Sequence, residues 1–236
     1  MQPKVGATRR ITAPGRSRGR PRAFDREAAL DRALGLFWTQ GFEGTSISDL
    51  TEALDINPPS LYAAFGSKEE LFREALGLYM RSYGFPIAFQ RAIAEEKTAL
   101  DAVVRILREA AHLFPVGATI GGCFISSGEL ACGPEHRSIA DGVSDARELM
   151  VTLLTQRITA GKTRGEIPRE ADPATLARYV ATVIQGMSVQ ARDGANEATL
   201  LAIADVALAA WPSRPPSRQL PRTKRPSART SRVRGE

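Results

Sequence analysis

A short stretch at residues 45–71 constrains this chain more than any other feature, because it holds two short helical patterns separated by only a few turn-forming residues. The first pattern is an apolar face with spacings of three and four, formed by Ile47, Leu50 and Leu54. The second begins at Pro58-Pro59, where proline is tolerated because the first helical turn has spare N–H donors. The pattern predicts a helix-turn-helix, whose second helix enters the major groove of DNA.

The end of the second helix and the start of a third can also be read from the residue types. Leu61 and Phe65, four residues apart, should point into the core. Gly66 can adopt the left-handed conformation that ends a helix. Ser67 and Glu70 form a capping-box pattern for the next helix.

A helix before this stretch completes a small three-helix unit. Asp25 can cap its first turn, and either Thr45 or Ser46 can cap the helix that follows. Phe42, which follows Gly41, should fill the same core. The apolar face of the first helix is expected to consist of Leu30, Ala33, Leu34, Phe37 and Trp38.

These residues resemble a known family. The segment Ser60-Leu-Tyr-Ala-Ala-Phe-Gly-Ser-Lys-Glu-Glu-Leu-Phe72 is similar to the recognition-helix segment of the TetR/AcrR family of bacterial transcriptional regulators. Residues 33–50 resemble that family's first helix and the start of its second, so the resemblance covers roughly 24–75. The family often has glycine in the turn, where this chain has Asp55, a residue that tolerates the left-handed region better than most.

The resemblance implies particular contacts with double-stranded DNA. Thr45, Tyr62 and Lys68 are expected to hold phosphates, and Ser46 is a further DNA-binding candidate. Residues expected near base edges are Asn57, Pro59 and Ser60. An arginine-bearing arm before the first helix can reach the minor groove, and here it would use Arg20 and Arg22.

Charge is divided unevenly along the chain. Residues 1–22 carry seven basic and no acidic residues, and residues 212–236 carry eight basic residues and one acid. The two tails therefore sum to +14, which leaves −8 for the rest of a chain whose net charge is +6. Both tails have the composition of disordered segments, and they are either solvated ends or attachments to DNA phosphates. Residues 1–17 are either a true extension or a misplaced start.

The remaining sequence has helical periodicity and no useful β-like alternation, so the predicted fold class is all-α. A break is expected at 84–86. Helices are expected at residues 69–83, 98–114, 123–131, 135–160, 173–192 and 197–211. The expected organisation is a basic arm, a helix-turn-helix domain, a helical effector-binding and dimerisation domain and a basic tail, at residues 1–22, 23–70, 71–211 and 212–236.

The resemblance also implies two partners besides DNA. In the family the last two helices form a four-helix dimer interface, so a homodimer is expected here through Gly186, Met187, Val189 and Trp211. The alternative is that these residues form an internal core. A small-molecule effector is expected inside the 80–190 body. Candidate pocket residues, each of which is more often simple core, are Phe89, Phe114, Cys123, Phe124, Met150 and Gln185.

The cysteines and histidines are few. Cys123 and Cys132 are nine residues apart, which would place them on opposite faces of one helix and disfavour a disulfide. Together with His112 and His136 they show no ligand spacing, so no metal site is expected. Cys123 is either a small buried apolar residue or a thiol sensor of oxidants, as in some family relatives.

Several functional classes are not supported by the sequence. No phosphate-binding glycine loop, nucleophile elbow or paired catalytic carboxylates appear, so we expect no enzyme and no cofactor. No transmembrane or secretory segment is present, which favours a cytoplasmic, nucleoid-associated protein. The interpretation is a regulator that binds a palindromic operator, most simply a repressor released by a ligand, with activation also open. Two rivals are a non-specific nucleoid-type DNA binder and a helical ligand-binding protein without DNA reading.

Overall fold

The computed structural model describes residues 24–115, 120–127 and 132–212, and in these ranges every regular element is a helix, as predicted. The expectations for Arg20, Arg22 and the two basic tails lie outside these ranges, apart from Pro212. The helices are α1 (Arg26–Gly44), α2 (Ile47–Leu54), α3 (Pro58–Phe65), α4 (Lys68–Ser82), α5 (Gly84–Glu95), α6 (Ala99–Leu113), α7 (Phe124–Ser127), α8 (Arg137–Thr163), α9 (Pro173–Arg192) and α10 (Glu197–Ala209). A 3-10 turn, Pro134–His136, precedes α8.

The N-terminal helices begin where the sequence places capping residues. The Asp25 carboxylate accepts hydrogen bonds from two N–H groups in the first turn of α1. Ser46, rather than Thr45, caps α2 and forms a reciprocal capping box with Asp49. Ser67 accepts a hydrogen bond from the Glu70 N–H at 3.1 Å, as predicted for the start of α4.

The first four helices bury one aromatic and aliphatic core. Gly41 has φ of 75°, so the helical path of α1 breaks there and Phe42 turns inward, where it is fully buried. Phe72 from α4 contacts the rings of Phe37 and Phe42, with centroids 5.1 and 5.4 Å apart. Apolar side chains buried around these rings are Leu30, Leu34, Leu50, Leu61 and Phe65.

The C-terminal body differs from the prediction after α4. The break predicted at 84–86 lies at Tyr83, which has an extended backbone, and residues 84–95 form a helix, α5, that was not predicted. Pro86 lies in the first turn of α5 and costs that turn little. Of the helix predicted over 123–131, residues Phe124–Ser127 form α7, and residues 128–131 lie outside the described ranges. The helices predicted over 98–114 and 173–192 agree with α6 and α9.

The N-terminal helices and the C-terminal body are joined by α4 and by polar contacts. Arg192 of α9 donates to the carbonyl of Trp38 in α1, and the Tyr83 hydroxyl donates to Asp31. Burial and this hydrogen bond raise the pKa of Tyr83 to about 12. A change in the C-terminal body can therefore reach α1 directly. Among the described residues, no helix combines the length and apolar character needed to span a membrane.

Candidate nucleic-acid interface

The turn between α2 and α3 is closed by backbone geometry. Asp55 has φ of 56° and ψ of 44°, the left-handed conformation expected for it, and among the described residues it is the only non-glycine with positive φ. Its N–H donates to the carbonyls of Glu52 and Thr51 at the end of α2. The Asn57 side chain then accepts from the Ser60 N–H at 2.9 Å and caps α3.

Helix α3 has a buried face and an exposed face. Leu61 and Phe65 are buried, as predicted, and α3 packs against α2 and α4. The exposed side consists of Pro58, Pro59, Ser60, Tyr62 and Ala63, with Tyr62 exposed to 47%. The helix carries no charged side chain, so what it offers to a groove is hydroxyl groups and apolar contacts.

Two polar residues flank this exposed face. The Ser46 hydroxyl donates to Asp49 at 2.7 Å and accepts from the Asp49 N–H, so its side chain is committed to the cap of α2. The Lys68 ammonium lies 4.2 Å from the centroid of the Phe42 ring, which is a cation–π contact. Lys68 begins α4 on the flank of α3 and is partly exposed.

Thr45 requires a correction. We expected its side chain to reach a phosphate, but Thr45 is fully buried and its hydroxyl donates to the Gly41 carbonyl at 2.6 Å. The break in α1 at Gly41 exposes that carbonyl to a local donor, and Thr45 satisfies it. The side chain therefore stabilises the α1–α2 connection and is turned away from the surface.

The residues predicted to line an effector pocket do not form one group. A cavity of about 300 Å³ lies between α1, α4, α5 and α6, and of the predicted residues only Phe114 lines it. Phe89 and Met150 border a separate, small space, and Gln185 lies partly exposed on α9. The other aromatic residues that line the larger cavity were not predicted from the sequence, and they are Trp38, Tyr79, Tyr83 and Phe85.

Cys123 and Phe124 are buried in the core behind this cavity. The Tyr79 hydroxyl donates to the Cys123 sulfur at 3.2 Å, and the Cys123 N–H donates to the Ser188 hydroxyl at 2.8 Å. Cys123 and Cys132 are thiols. The burial of Cys123 favours the apolar-core interpretation, and its role as a thiol sensor stays a prediction that alkylation of the folded protein would test.

The predicted dimer residues also divide into two groups. Gly186 and Val189 are exposed on α9, as a self-association surface requires. Met187 is fully buried and Trp211 is 7% exposed, so both fill the core of their own chain. The expectation that these two residues supply interface area was wrong, because Met187 on α9 and Trp211, which follows α10, are both buried within their own chain.

Comparison with known proteins agrees with this geometry. Residues 29–75 match the model of the family described as bacterial regulatory proteins, tetR family. The chain is 38% identical over 197 residues to the HTH-type transcriptional repressor ComR of Escherichia coli K12, across 84% of this chain and 93% of ComR. It is 33% identical to the repressor BdcR of the same organism, across 80% and 90%. A solved cysteine mutant of the TetR family regulator CifR, complexed with 26bp operator DNA, is 41% identical, with a TM-score of 0.77 over 82% of this chain and all of CifR.

The exposed α3 behind a closed turn, together with these similarities, defines a sequence-specific helix-turn-helix DNA-binding transcriptional regulator. The chain belongs to the TetR family. The relatives named above are transcriptional regulators rather than enzymes.

Proposed function

We propose that this protein is a homodimeric repressor that binds a palindromic operator and is released by a small apolar effector. Two relatives of more than 30% identity are named repressors, which supports that sign of regulation. The observation that carries the proposal is the uncharged, exposed face of α3 beside the partly exposed Lys68. Activation remains the alternative, because the sign depends on where the operator lies.

The charge distribution supports a division of labour in DNA binding. Residues 24–70 contain nine acidic and three basic residues, a net charge of −6, whereas residues 1–23 carry seven basic residues and no acid. A surface of this sign is repelled by phosphates at long range. The arm therefore supplies the electrostatic attraction, with Arg20 and Arg22 at the minor groove, while α3 supplies discrimination between sequences.

Contacts at the duplex follow from the exposed groups. Tyr62 and Lys68 hold phosphates on the two flanks of α3, and Ser46 holds the start of α2 in place. Asn57, Pro59 and Ser60 lie at the start of α3, which is the end that reaches base edges in this class. Pro59 and Ala63 offer apolar surface suited to a thymine methyl group.

The test is binding to the DNA upstream of the gene against a scrambled duplex, over a salt series. A preference for the upstream DNA that persists without residues 1–22 would support sequence recognition by α3. The shortened protein should bind more weakly overall and show a smaller dependence of affinity on salt. Equal binding to both duplexes that disappears without the arm would instead support the nucleoid-type alternative. Absence of binding to any duplex at low salt would favour the ligand-binding alternative.

Lys68 provides a sharper test of the phosphate contacts. Lys68→Gln should reduce the magnitude of the slope of log binding constant against log salt concentration by about one. It should weaken binding to all DNA sequences by the same factor. The matched control is Lys97→Gln, which removes the same charge from an exposed residue between α5 and α6, outside the helix-turn-helix. An unchanged slope in Lys68→Gln would remove Lys68 from the interface.

Dimerisation is supported by an exposed apolar face on α9 and α10. Val206 is exposed to 74%, Val189 to 43% and Tyr179 to 37%, and a Cβ added at Gly186 would meet no atom within 4 Å. A second copy would cover this face and place two recognition helices one DNA turn, about 34 Å, or a multiple of it apart. Val206→Glu should give a monomer in sedimentation, while Leu100→Glu, on an exposed part of α6, should leave the dimer intact.

The effector is expected in the cavity of about 300 Å³ between α1 and α4–α6. Half of its lining residues are aromatic, and the buried Nε1 of Trp38 has no hydrogen-bond partner within the described ranges. These features favour a small apolar molecule with one acceptor group. Trp38 belongs to α1, so occupancy can shift the DNA-binding helices by as much as the ligand prefers the shifted state.

The cavity assignment is tested with Trp38→Phe, which keeps the aromatic packing and removes the N–H donor. Operator binding without ligand should be unchanged. An effector found by screening should be needed at a higher concentration to release the DNA from Trp38→Phe than from the wild-type protein. The matched control is Phe89→Leu, which lies at the separate small space. Equal sensitivity of both variants to the effector would place its site elsewhere.

A further inference from the structure

A cluster of metal-ligand residue types lies where the DNA-binding helices meet the C-terminal body. Glu43, near the end of α1, and Glu135 and His136, in the 3-10 turn before α8, each offer one ligand atom, and these atoms lie within 4.8 Å of one another. The His136 Nδ1 is 2.7 Å from a Glu43 carboxylate oxygen. The cluster joins residues that are 93 positions apart in the sequence.

The other face of the histidine gives an independent indication of a ligand role. The His136 Nε2 faces the Glu69 carboxylate at 3.6 Å, and the ring packs edge-on against Phe42 with centroids 4.9 Å apart. Histidines that ligate metals usually direct their second ring nitrogen to a carboxylate, which fixes the tautomer and the ring orientation. Glu69 stands in that position, and it leaves Nδ1 directed at Glu43.

The local charge favours a cation. The carboxylates of Glu43, Glu69 and Glu135 lie around the imidazole, and the nearby Lys68 holds its ammonium over the Phe42 ring. An ionised carboxylate beside an imidazole is a donor set for first-row divalent ions.

We propose that Glu43, Glu135 and His136 bind one divalent transition-metal ion of the Zn²⁺, Co²⁺ or Ni²⁺ type, with Glu69 orienting the imidazole. Bonds of about 2.0–2.2 Å require tetrahedral donor atoms to lie about 3.3 Å apart. In the structure the His136 Nδ1 is 2.7 Å from a Glu43 oxygen, and all the ligand atoms lie within 4.8 Å of one another. Rotation of the exposed Glu43 and Glu135 side chains can bring these separations to the distance that the ion requires. The bound ion lies between Nδ1 and the Glu43 carboxylate, and it ties α1 to the 3-10 turn before α8.

The experiment is titration of the full-length protein with Co²⁺ and Zn²⁺, followed by calorimetry and by the visible absorption of Co²⁺. We expect one ion per chain, with the d–d bands of nitrogen and oxygen ligation. Because no cysteine belongs to the cluster, the thiolate-to-cobalt absorption in the near ultraviolet should be absent. His136→Gln, Glu43→Gln and Glu135→Gln should each weaken binding by at least tenfold, in proteins whose circular dichroism shows them folded.

The chain provides a matched control in its other histidine. His112 of α6 also faces a carboxylate, Glu197, at 3.2 Å, but it is not part of the cluster. His112→Gln should leave binding and the cobalt spectrum unchanged. Equal loss in both histidine variants, a thiolate absorption band that Cys132→Ser removes, or weak binding with no defined stoichiometry (an adventitious ion only) would each overturn the assignment.

Discussion

Asp55 allows a quantitative test of the turn that presents the recognition helix. This residue holds φ of 56° and ψ of 44° at the C-terminal cap of α2, and it is exposed. The left-handed conformation costs an ordinary L-residue roughly 1–2 kcal/mol, and somewhat less for aspartate. Its carboxylate also lies at the negative end of the α2 dipole, which costs roughly 0.3–1 kcal/mol.

Replacing Asp55 separates these two contributions. Asp55→Gly removes both costs but adds about 0.5–1 kcal/mol of unfolded-state entropy, so we expect a net stabilisation of about 0.5–1 kcal/mol. Asp55→Asn keeps the tolerance of the left-handed region and removes only the charge, which predicts a gain of about 0.3–0.5 kcal/mol. Asp55→Val should lose about 1 kcal/mol, because a β-branched residue is strained at positive φ.

The assay is equilibrium urea unfolding of the four proteins at one fixed concentration, since a dimer's apparent stability depends on concentration. The predicted order of stability is glycine, asparagine, wild type and valine. If the valine variant were as stable as the glycine variant, the turn would not hold a left-handed residue at this position. If asparagine gave no gain, the dipole contribution would be negligible.

Three further predictions concern caps and close packing. Ser46→Ala should destabilise the protein by about 1 kcal/mol in urea unfolding, because two groups of the α2 cap lose their partner. Hydrogen bonds from the Ser46 N–H and hydroxyl hold the pKa of Asp49 below its usual value, so its contribution to stability is full above the unfolded-state pKa and is lost as the pH falls through the lowered value. Asp49→Asn should therefore flatten the acid side of a plot of melting temperature against pH. Gly122→Ala should destabilise by about 1–3 kcal/mol in the same urea assay, because φ is 83° and the added Cβ would lie 2.7 Å from the Ser188 carbonyl oxygen. An alanine variant as stable as wild type would show that this loop can relax.

The predictions that were confirmed rest on signals between near neighbours in the sequence. Asp25, Ser46 and Ser67 act as caps, and Leu61 and Phe65 lie on the buried face of α3. Each of these properties depends on residues no more than four positions away, so it is readable without the fold. The error at α5 is also local, because a proline in a first helical turn resembles a break.

The predictions that failed depend on which face another helix covers. Met187 and Val189 are two positions apart on α9, yet one is buried within the chain and the other is exposed. Thr45 was expected at the surface, but the break at Gly41 offered its hydroxyl a buried carbonyl. Composition and spacing give the residues on each face of a helix, but they do not give the element that will cover that face.

The sequence by itself determined the class of this protein, because a helix-turn-helix is encoded by caps, a turn residue and apolar spacings within about 50 residues. Only the tertiary structure decided the cavity behind Trp38 and the meeting of Glu43 with His136. These sites combine side chains from distant segments, and such pairings arise from the packing of whole helices rather than from any local preference of the chain.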